Sequence, residues 1–246
     1  LSQVYNNRLI AGIGLGVPAW VRQMGLHPPS PLAALRECVT STKALLRGET
    51  LNIQGEVFSF DNVTLVYPES GTPTPVRMGA LGPKMLQLSG EVGDGSVLSV
   101  SAGHDYVRWA KERIEEGRQR GGRDDAHPVT VFAIYAVDED GDAARASARS
   151  TLAFYRQNGS NGLTDVYGIS DELNALVKKG GYEAVLQGMP DQWVEDLTIA
   201  GSPEECAAKI SAFYAAGADA VALFPVATDR IEEVVRLTAE KVLPRL

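Results

Sequence analysis

Residues 75–99 read PVRMGALGPKMLQLSGEVGDGSVLS, and this stretch decides the fold class. A short apolar strand is predicted over 76–80, and a glycine-rich turn follows it. A helix is predicted over 83–92, because proline favours the first helical position. Another apolar strand is predicted over 95–100. Two strands that a helix connects run parallel, so the stretch is typical of a βαβ unit.

The same alternation of strands and helices continues along the chain. The predicted strands are compact apolar runs, and such strands need cover on both faces. This pattern indicates an α/β protein with a parallel sheet. The five predicted strands cover residues 8–17, 76–80, 95–100, 128–137 and 219–226, and the predicted helices cover residues 31–47, 83–92, 104–121, 142–157, 202–218 and 230–246.

Two segments interrupt this alternation. Residues 50–67 alternate between apolar and polar side chains, with Gly55 at a turn, which predicts a β-hairpin apart from the parallel sheet. Residues 158–200 are rich in Gly and Asn at first and then carry two predicted helices. No linker stands out by composition, so we expect one domain over residues 1–246.

Two architectures share this pattern, the doubly wound open sheet and the (β/α)8 barrel. A barrel needs eight strands and the sequence predicts five, while the two interrupting segments use much of the remaining length. The residues alone leave both architectures open.

Composition excludes several functional classes. With 23 Lys and Arg against 31 Asp and Glu, the chain has a net charge of −8, which disfavours nucleic acid as a partner. No apolar run approaches the roughly 18 residues that span a membrane, and no signal peptide is predicted. Cys38 and Cys206 lie in no metal-binding or disulfide pattern. We therefore expect a cytoplasmic protein without a metal.

The turn at residues 79–84 is a candidate anion site. Gly79 and Gly82 allow close approach to the backbone, and Pro83 begins a helix whose first N–H groups lack intrahelical acceptors. Lys84 adds a cation. A plain strand-to-helix turn has the same composition, so the residues alone leave both interpretations open.

A second glycine motif, GIGLGV, covers residues 12–17. It does not match the dinucleotide fingerprint, because no helix is predicted directly after it and its third glycine has the wrong spacing. Either the glycines serve packing in a crowded strand, or Gly14 and Gly16 bring the backbone close to a ring. The carboxyl ends of barrel strands line the active site, which favours Gly16 and Val17 over Gly12.

Three further residues are candidates for contact with a substrate. Trp20 and Met24 follow the glycine motif and could form an apolar wall, although a surface loop with apolar anchors is an equal alternative. His104 follows the strand predicted over 95–100 and is a weaker candidate. No nucleophile, metal-ligand or paired-carboxylate motif occurs, which agrees with a reaction whose chemistry a cofactor carries.

Four segments carry a resemblance to a known family: RLIAGIGLGVPAWVRQMG at residues 8–25, residues 75–99 quoted above, WVEDLTIAGSPEECAAKISAFYAAGAD at 193–219, and VALFPV at 221–226 with the final helix. In this order the chain resembles the bacterial-luciferase-like superfamily of flavin- and deazaflavin-dependent oxidoreductases and monooxygenases. It is most similar to the branch that includes methylenetetrahydromethanopterin reductase.

The resemblance implies a TIM barrel of parallel (β/α)8 type in which this chain lacks about the first three units. It implies a hydride transfer between coenzyme F420, or alternatively FMN, and a small organic substrate, in a cytoplasmic homodimer or higher homo-oligomer. The cofactor phosphate is expected on residues 79–84 and its ring near residues 14–17. The implied cofactor-binding residues are Gly14, Gly16, Val17, Gly79, Ala80, Leu81, Gly82, Pro83 and Lys84.

Two other functional classes stay open at this point. One is a non-catalytic flavin-binding protein or partner subunit that lacks the active-site groups of the first strands. The other is an unrelated α/β enzyme that binds a phosphorylated ligand at the same turn. The catalytic residues are not assigned by the sequence.

Overall fold

A computed structural model describes residue 5, residues 8–69 and residues 71–246. The chain forms two compact units, one made of residues 1–97 and 113–128 and the other of residues 98–112 and 129–246.

The first unit begins with short elements and ends in a strand–helix–strand arrangement. In chain order it contains β1 (Ala11–Ile13), α1 (Pro18–Gln23), α2 (Pro31–Leu46), β2 (Leu51–Gln54), β3 (Ser59–Val63), β4 (Val76–Ala80), α3 (Pro83–Val92) and β5 (Ser96–Leu98). Helix α4 (His104–Arg120) and β5 contain the boundaries between the units.

The parallel strands of the first unit lie in the order β1, β4, β5. Strands β1 and β4 pair in parallel, with Ile13 opposite Met78. One face of this pair packs against α2 and α3, because Ile13 and Met78 belong to an apolar cluster with Leu35, Val39 and Leu88. The side chains alternate between the two faces of a strand, so Gly12 and Gly14 lie on the opposite face.

The predicted hairpin is a separate two-stranded sheet in which β2 and β3 run antiparallel. The Glu37 carboxylate on α2 holds its turn by accepting hydrogen bonds from the backbone N–H groups of Glu56 at 2.7 Å, Val57 at 3.1 Å and Phe58 at 2.8 Å. These bonds, that from Phe58 first, lower the pKa of Glu37. The hairpin is therefore fastened to α2 through one side chain.

Charged groups tie the segment around Asp94 together. The Asp94 carboxylate accepts hydrogen bonds from Lys43 at 2.5 Å, from Arg123 at 3.1 Å and from the Val76 N–H at 3.0 Å. Burial opposes the ionised carboxylate, but these donors together lower the pKa of Asp94. Burial also lowers the pKa of the nearby His127 to about 4, so this histidine is neutral at pH 7, and its Nε2 lies 2.9 Å from the Ser96 hydroxyl oxygen.

The second unit continues with β6 (Val129–Val137), α5 (Gly141–Arg156), α6 (Gly162–Val166), α7 (Ser170–Gly188), α8 (Asp191–Leu197), β7 (Ile199–Gly201), α9 (Pro203–Ala215), β8 (Ala220–Pro225) and α10 (Ile231–Leu237). Strand β6 pairs in parallel with β8 along residues 130–135 and with β7 along residues 135–137. A π-helical turn and a 3-10 turn follow α10 over residues 238–245.

Local sequence signals fix the start of α9. The Ser202 hydroxyl accepts a hydrogen bond from the Glu205 N–H at 3.3 Å, and the Glu205 carboxylate accepts one from the Ser202 N–H at 2.7 Å. This capping box matches the prediction made from Ser202, Pro203 and Glu205.

The α/β class and the parallel strands are confirmed, but four details of the prediction were wrong. The first strand covers Ala11–Ile13, not 8–17, and it packs on one face only because its alternate positions are glycines. A sixth parallel strand, β7, was missed because it has only 3 residues. Three helices occupy residues 158–200 where two were predicted, and α1 was not predicted. The expectation of one domain stays a prediction.

Candidate functional site

The carboxyl ends of β1 and β4 meet at two glycines. Gly14 follows β1 and lies beside Gly79 of β4, since a Cβ atom placed on Gly14 would be 3.6 Å from the Gly79 Cα. Gly12, Gly14 and Gly16 are all exposed. The surface at this point is therefore bare backbone, which is the form that a flat ring needs for close contact.

The turn after β4 leads directly from this surface into α3. Gly82 is the N-cap with φ −88° and ψ 165°, and Pro83 is the first helical residue. The first intrahelical bond runs from the Leu86 N–H to the Gly82 carbonyl at 3.0 Å, so the N–H groups of Lys84 and Met85 precede the helical ladder. Their direction and the helix dipole favour an anion here.

The space above this turn is open. A Cβ atom on Gly82 would meet no heavy atom within 4 Å, and the φ of Gly82 is one that any residue adopts. The protein itself therefore does not require glycine at this position for either packing or backbone conformation. A ligand that approaches the backbone would require it.

Lys84 also lines a neighbouring cavity. Its exposed side chain lines a cavity of about 500 Å³ between α2 and α3, together with Arg36, Glu37 and Glu91. Arg36 and Glu91 form an ion pair at 2.6 Å across this cavity. Because the Lys84 side chain is exposed and solvent screens its charge, its contribution to an anion site is smaller than that of the helix N–H groups.

The segment after Gly16 differs from the prediction. Helix α1 begins at Pro18, directly after Val17, so the expectation that no helix follows the glycine motif was wrong. The third glycine still has the wrong spacing for a dinucleotide fingerprint. Gly16 has φ +68°, which favours glycine, and its Cβ atom would lie 3.2 Å from the Val21 side chain.

The three predicted substrate residues are all accessible, but they belong to different parts of the chain. Trp20 is 58% exposed and Met24 is 62% exposed, and no residue of α1 is buried. Neither side chain forms a closed wall within the part of the first unit that the structure describes. His104 is the first residue of α4, lies in the second unit and is half-buried.

A buried cation in the second unit was missed by the sequence analysis. Arg156 is 4% exposed, and its Nε and Nη1 atoms have no hydrogen-bond partner among the described residues. Burial lowers the pKa of Arg156 to about 10. The sequence does contain a signal for this burial: Arg156 follows Ala144, Ala148 and Leu152 at intervals of four residues, which places it on the buried face of α5.

Comparison with known proteins identifies the family. The family model described as luciferase-like monooxygenase matches residues 1–220. The chain belongs to the luciferase-like monooxygenase family. This confirms the resemblance that the four sequence segments carry.

Two curated relatives show where in the family the chain lies. A 5,10-methylenetetrahydromethanopterin reductase of Archaeoglobus fulgidus is 29% identical in an alignment of 256 positions that covers 100% of this chain and 76% of the relative. An F420-dependent glucose-6-phosphate dehydrogenase of Nakamurella multipartita is 24% identical in an alignment of 252 positions that covers 100% of this chain and 70% of the relative.

Solved structures share the fold. The coenzyme F420-dependent tetrahydromethanopterin reductase of Methanopyrus kandleri aligns with a TM-score of 0.81 at 23% identity, over 98% of this chain and 75% of that chain. An F420-dependent secondary alcohol dehydrogenase in complex with an F420-acetone adduct aligns with a TM-score of 0.74 at 21% identity, over 99% of this chain and 71% of that chain. At this identity the likeness concerns the fold.

Two features are absent from the described residues. None of their helices combines the length and apolar character needed to cross a membrane. No group of three or more His, Cys, Asp or Glu side chains among them could hold a metal ion.

Proposed function

We propose that this chain is an F420-dependent oxidoreductase of the luciferase-like family, which transfers a hydride between the deazaflavin and a small organic substrate. One observation carries the proposal. The bare backbone at Gly14 and Gly79 continues into the open helix N-terminus at Gly82, so a flat ring and an attached phosphate both find suitable surfaces.

The residues that would hold the cofactor divide into two groups. The N–H groups of Lys84 and Met85, with the open backbone of Gly82, would bind the phosphate. The backbone of Gly14, Gly16 and Val17, together with that of Gly79, Ala80 and Leu81, would hold the ring. Pro83 fixes the first helical φ, and Lys84 adds a partly shared positive charge.

The cofactor, when bound, supplies the hydride chemistry of the reaction. The chain contributes position: the backbone groups lie in or directly after β1 and β4 and at the start of α3, so hydrogen-bonded elements would orient the ring. The glycines at this surface also let the ring displace water from the backbone. No side chain is assigned as acid or base by this proposal.

The choice of F420 over FMN follows from the relatives. The names of the Nakamurella multipartita dehydrogenase and of the Methanopyrus kandleri reductase both state dependence on F420. FMN is the alternative, because a Baeyer–Villiger monooxygenase in complex with FMN aligns with a TM-score of 0.68 at 16% identity, over 100% of this chain and 73% of that chain.

A non-catalytic flavin-binding protein or partner subunit is the second functional class. The relatives named above are all enzymes, so the comparison does not favour this class. We keep it as the alternative outcome of the experiment, because a chain that binds F420 without turning it over belongs to it.

The barrel architecture, the oligomeric state, the location in the cell and the substrate contacts are also part of this proposal. We propose that the parallel strands belong to a (β/α)8 barrel. The absence of about three barrel units from this chain stays a prediction. A homodimer or higher homo-oligomer in the cytoplasm is likewise proposed, as are the substrate contacts of Trp20, Met24 and His104.

Titration of the protein with F420 and separately with FMN, followed by intrinsic fluorescence, tests the cofactor. The proposal expects saturable binding of F420 that is tighter than that of FMN. Reduction of bound F420 by a panel of alcohols and a reduced pterin then tests turnover. Absence of F420 binding contradicts the proposal, and binding without turnover by any donor favours the non-catalytic class.

A further inference from the structure

Two Asn-Gly dipeptides lie close together in the second unit. They are Asn158–Gly159 and Asn161–Gly162, and the sequence contains no other Asn-Gly pair. Both belong to the connection from α5, which ends at Arg156, to α6, which begins at Gly162. Because the same residue follows each asparagine, a difference in their reactivity would come from the folded structure.

An asparagine that precedes glycine can react with its own backbone. The glycine nitrogen gives its proton to a base in solution and attacks the side-chain Cγ of the asparagine. A C–N bond forms, the side-chain nitrogen leaves as ammonia, and a succinimide ring results. Water then opens the ring at either carbonyl carbon and gives aspartate or isoaspartate, without oxidation or reduction. Glycine favours the attack because it has no Cβ atom to hinder its nitrogen.

The side chain of Asn158 is free to take up the geometry of this attack. It is exposed and takes part in no hydrogen bond within the described part of the chain. The Gly159 N–H donates to the Arg156 carbonyl at 3.0 Å, at the C-terminal end of α5. Helix ends fray, so this bond opens at little cost and releases the attacking nitrogen.

Asn161, in contrast, is held by the start of α6. Its side-chain oxygen accepts a hydrogen bond from the Leu163 N–H at 3.0 Å, and its own N–H donates to the Thr164 hydroxyl oxygen at 2.9 Å. Its carbonyl accepts bonds from the Thr164 hydroxyl at 2.8 Å and from the Asp165 N–H at 3.1 Å. Ring closure needs rotation of both the side chain and the backbone of Asn161, and the capping box opposes this rotation.

The held part of the connection begins directly after Gly159. The Ser160 N–H donates to the Asn174 side-chain oxygen at 3.1 Å, and the Asn174 side-chain nitrogen donates to the Ser160 hydroxyl oxygen at 2.9 Å. These bonds fasten Ser160 to α7. The first Asn-Gly pair therefore lies between the end of α5 and this fastened residue, and the second lies within the cap of α6.

We propose that Asn158 is a site of spontaneous deamidation in the folded protein, and that the cap of α6 protects Asn161 from the same reaction. Conversion of Asn158 adds a negative charge beside the C-terminal end of α5, where the helix dipole disfavours an anion. The isoaspartate product also lengthens the backbone between α5 and α6 by a methylene group. This site does not depend on the cofactor proposed above.

Mass spectrometry of the whole folded chain, incubated in mildly alkaline buffer and then digested, tests the site. The tryptic peptide of residues 157–178 contains both asparagines, and its fragments show which amide has become a carboxylate. Deamidation at Asn158 should be roughly tenfold faster than at Asn161, because the reaction at Asn161 requires the loss of the cap bonds. In urea both asparagines should react at similar rates, which controls for the shared dipeptide.

A matched pair of variants separates the effect of the cap from that of the dipeptide. Thr164→Val removes the hydroxyl that bonds to Asn161, so deamidation at Asn161 should become faster while that at Asn158 keeps its rate. Thr164→Ser retains the hydroxyl and should retain the protection. The comparison of folded and urea-treated wild type stands whether or not Thr164→Val folds.

Three results would overturn the proposal. The first is an equal rate at Asn158 and Asn161 in the folded wild type. The second is a folded chain that stays intact at Asn158 under alkaline conditions in which the chain in urea reacts. The third is a folded Thr164→Val variant in which Asn161 is as well protected as in the wild type.

Discussion

The substitution Gly82→Val separates a ligand site from a simple turn. Its Cβ atom meets nothing within 4 Å in the protein, and the φ of −88° suits valine, so the folded state loses only the N-cap preference of glycine. We expect the thermal midpoint to fall by only a few degrees, since an N-cap change costs about 1 kcal/mol.

The same side chain would occupy the space in which the cofactor phosphate approaches the helix N–H groups. A hydrogen bond to a charged group contributes about 1.5–3 kcal/mol, so the loss of one such bond weakens binding roughly 10- to 100-fold. Lys84→Ala should have a smaller effect, about 1 kcal/mol or less, because solvent screens the charge of this exposed side chain.

Gly12→Val is the matched control. Gly12 also has no heavy atom within 4 Å of its would-be Cβ atom, but it lies within β1, before the carboxyl end. Titration of all three variants with F420, beside thermal melts without ligand, measures both effects. If Gly82→Val binds F420 as tightly as Gly12→Val does, the reasoning about this turn is refuted.

Three further predictions concern stability and reactivity. The N–H donors of residues 56–58 lower the pKa of Glu37, so the carboxylate holds the hairpin above the ordinary Glu pKa and releases it as the pH falls through the lowered pKa. Glu37→Gln should make amide exchange at residues 56–58 faster and remove this pH dependence. Arg156→Met should raise the unfolding free energy by about 1–3 kcal/mol in a denaturant titration, because it removes a buried cation whose Nε and Nη1 atoms have no hydrogen-bond partner among the described residues, and a decrease would contradict this. Burial raises the pKa of the Cys206 thiol to about 12, so iodoacetamide should modify the half-buried Cys38 first and Cys206 only on unfolding; early modification of Cys206 would be the contrary result.

The parts of the fold that the sequence predicted well have strong local signals. Helix α3 begins and ends where it was predicted, because Pro83 marks its first turn and Gly93 follows its end. The capping box of α9 could also be predicted, because it has a local sequence signal. Strand β7 has no such signal, since a strand of 3 residues between two helices is too short to show periodicity.

The candidate site could be predicted in part. The glycines and the helix start at 79–84 were evident from the residues, and their role in cofactor binding is a prediction from the family resemblance. That Gly14 lies beside Gly79 depends on the register of β1 with β4, which is a property of the assembled sheet. The carboxylates around Lys84 and the burial of Arg156 likewise follow from packing between elements distant in sequence.

Amide hydrogen exchange with and without F420 tests the central claim most directly. The account predicts that F420 slows exchange at residues 14–17 and 79–86, and that inorganic phosphate alone slows it only around Lys84 and Met85. Residues of the hairpin at 51–63 should exchange at the same rate in both states. Saturable F420 binding that leaves residues 79–86 unprotected, or that protects other segments, would contradict the assignment of the glycine turn as the cofactor site.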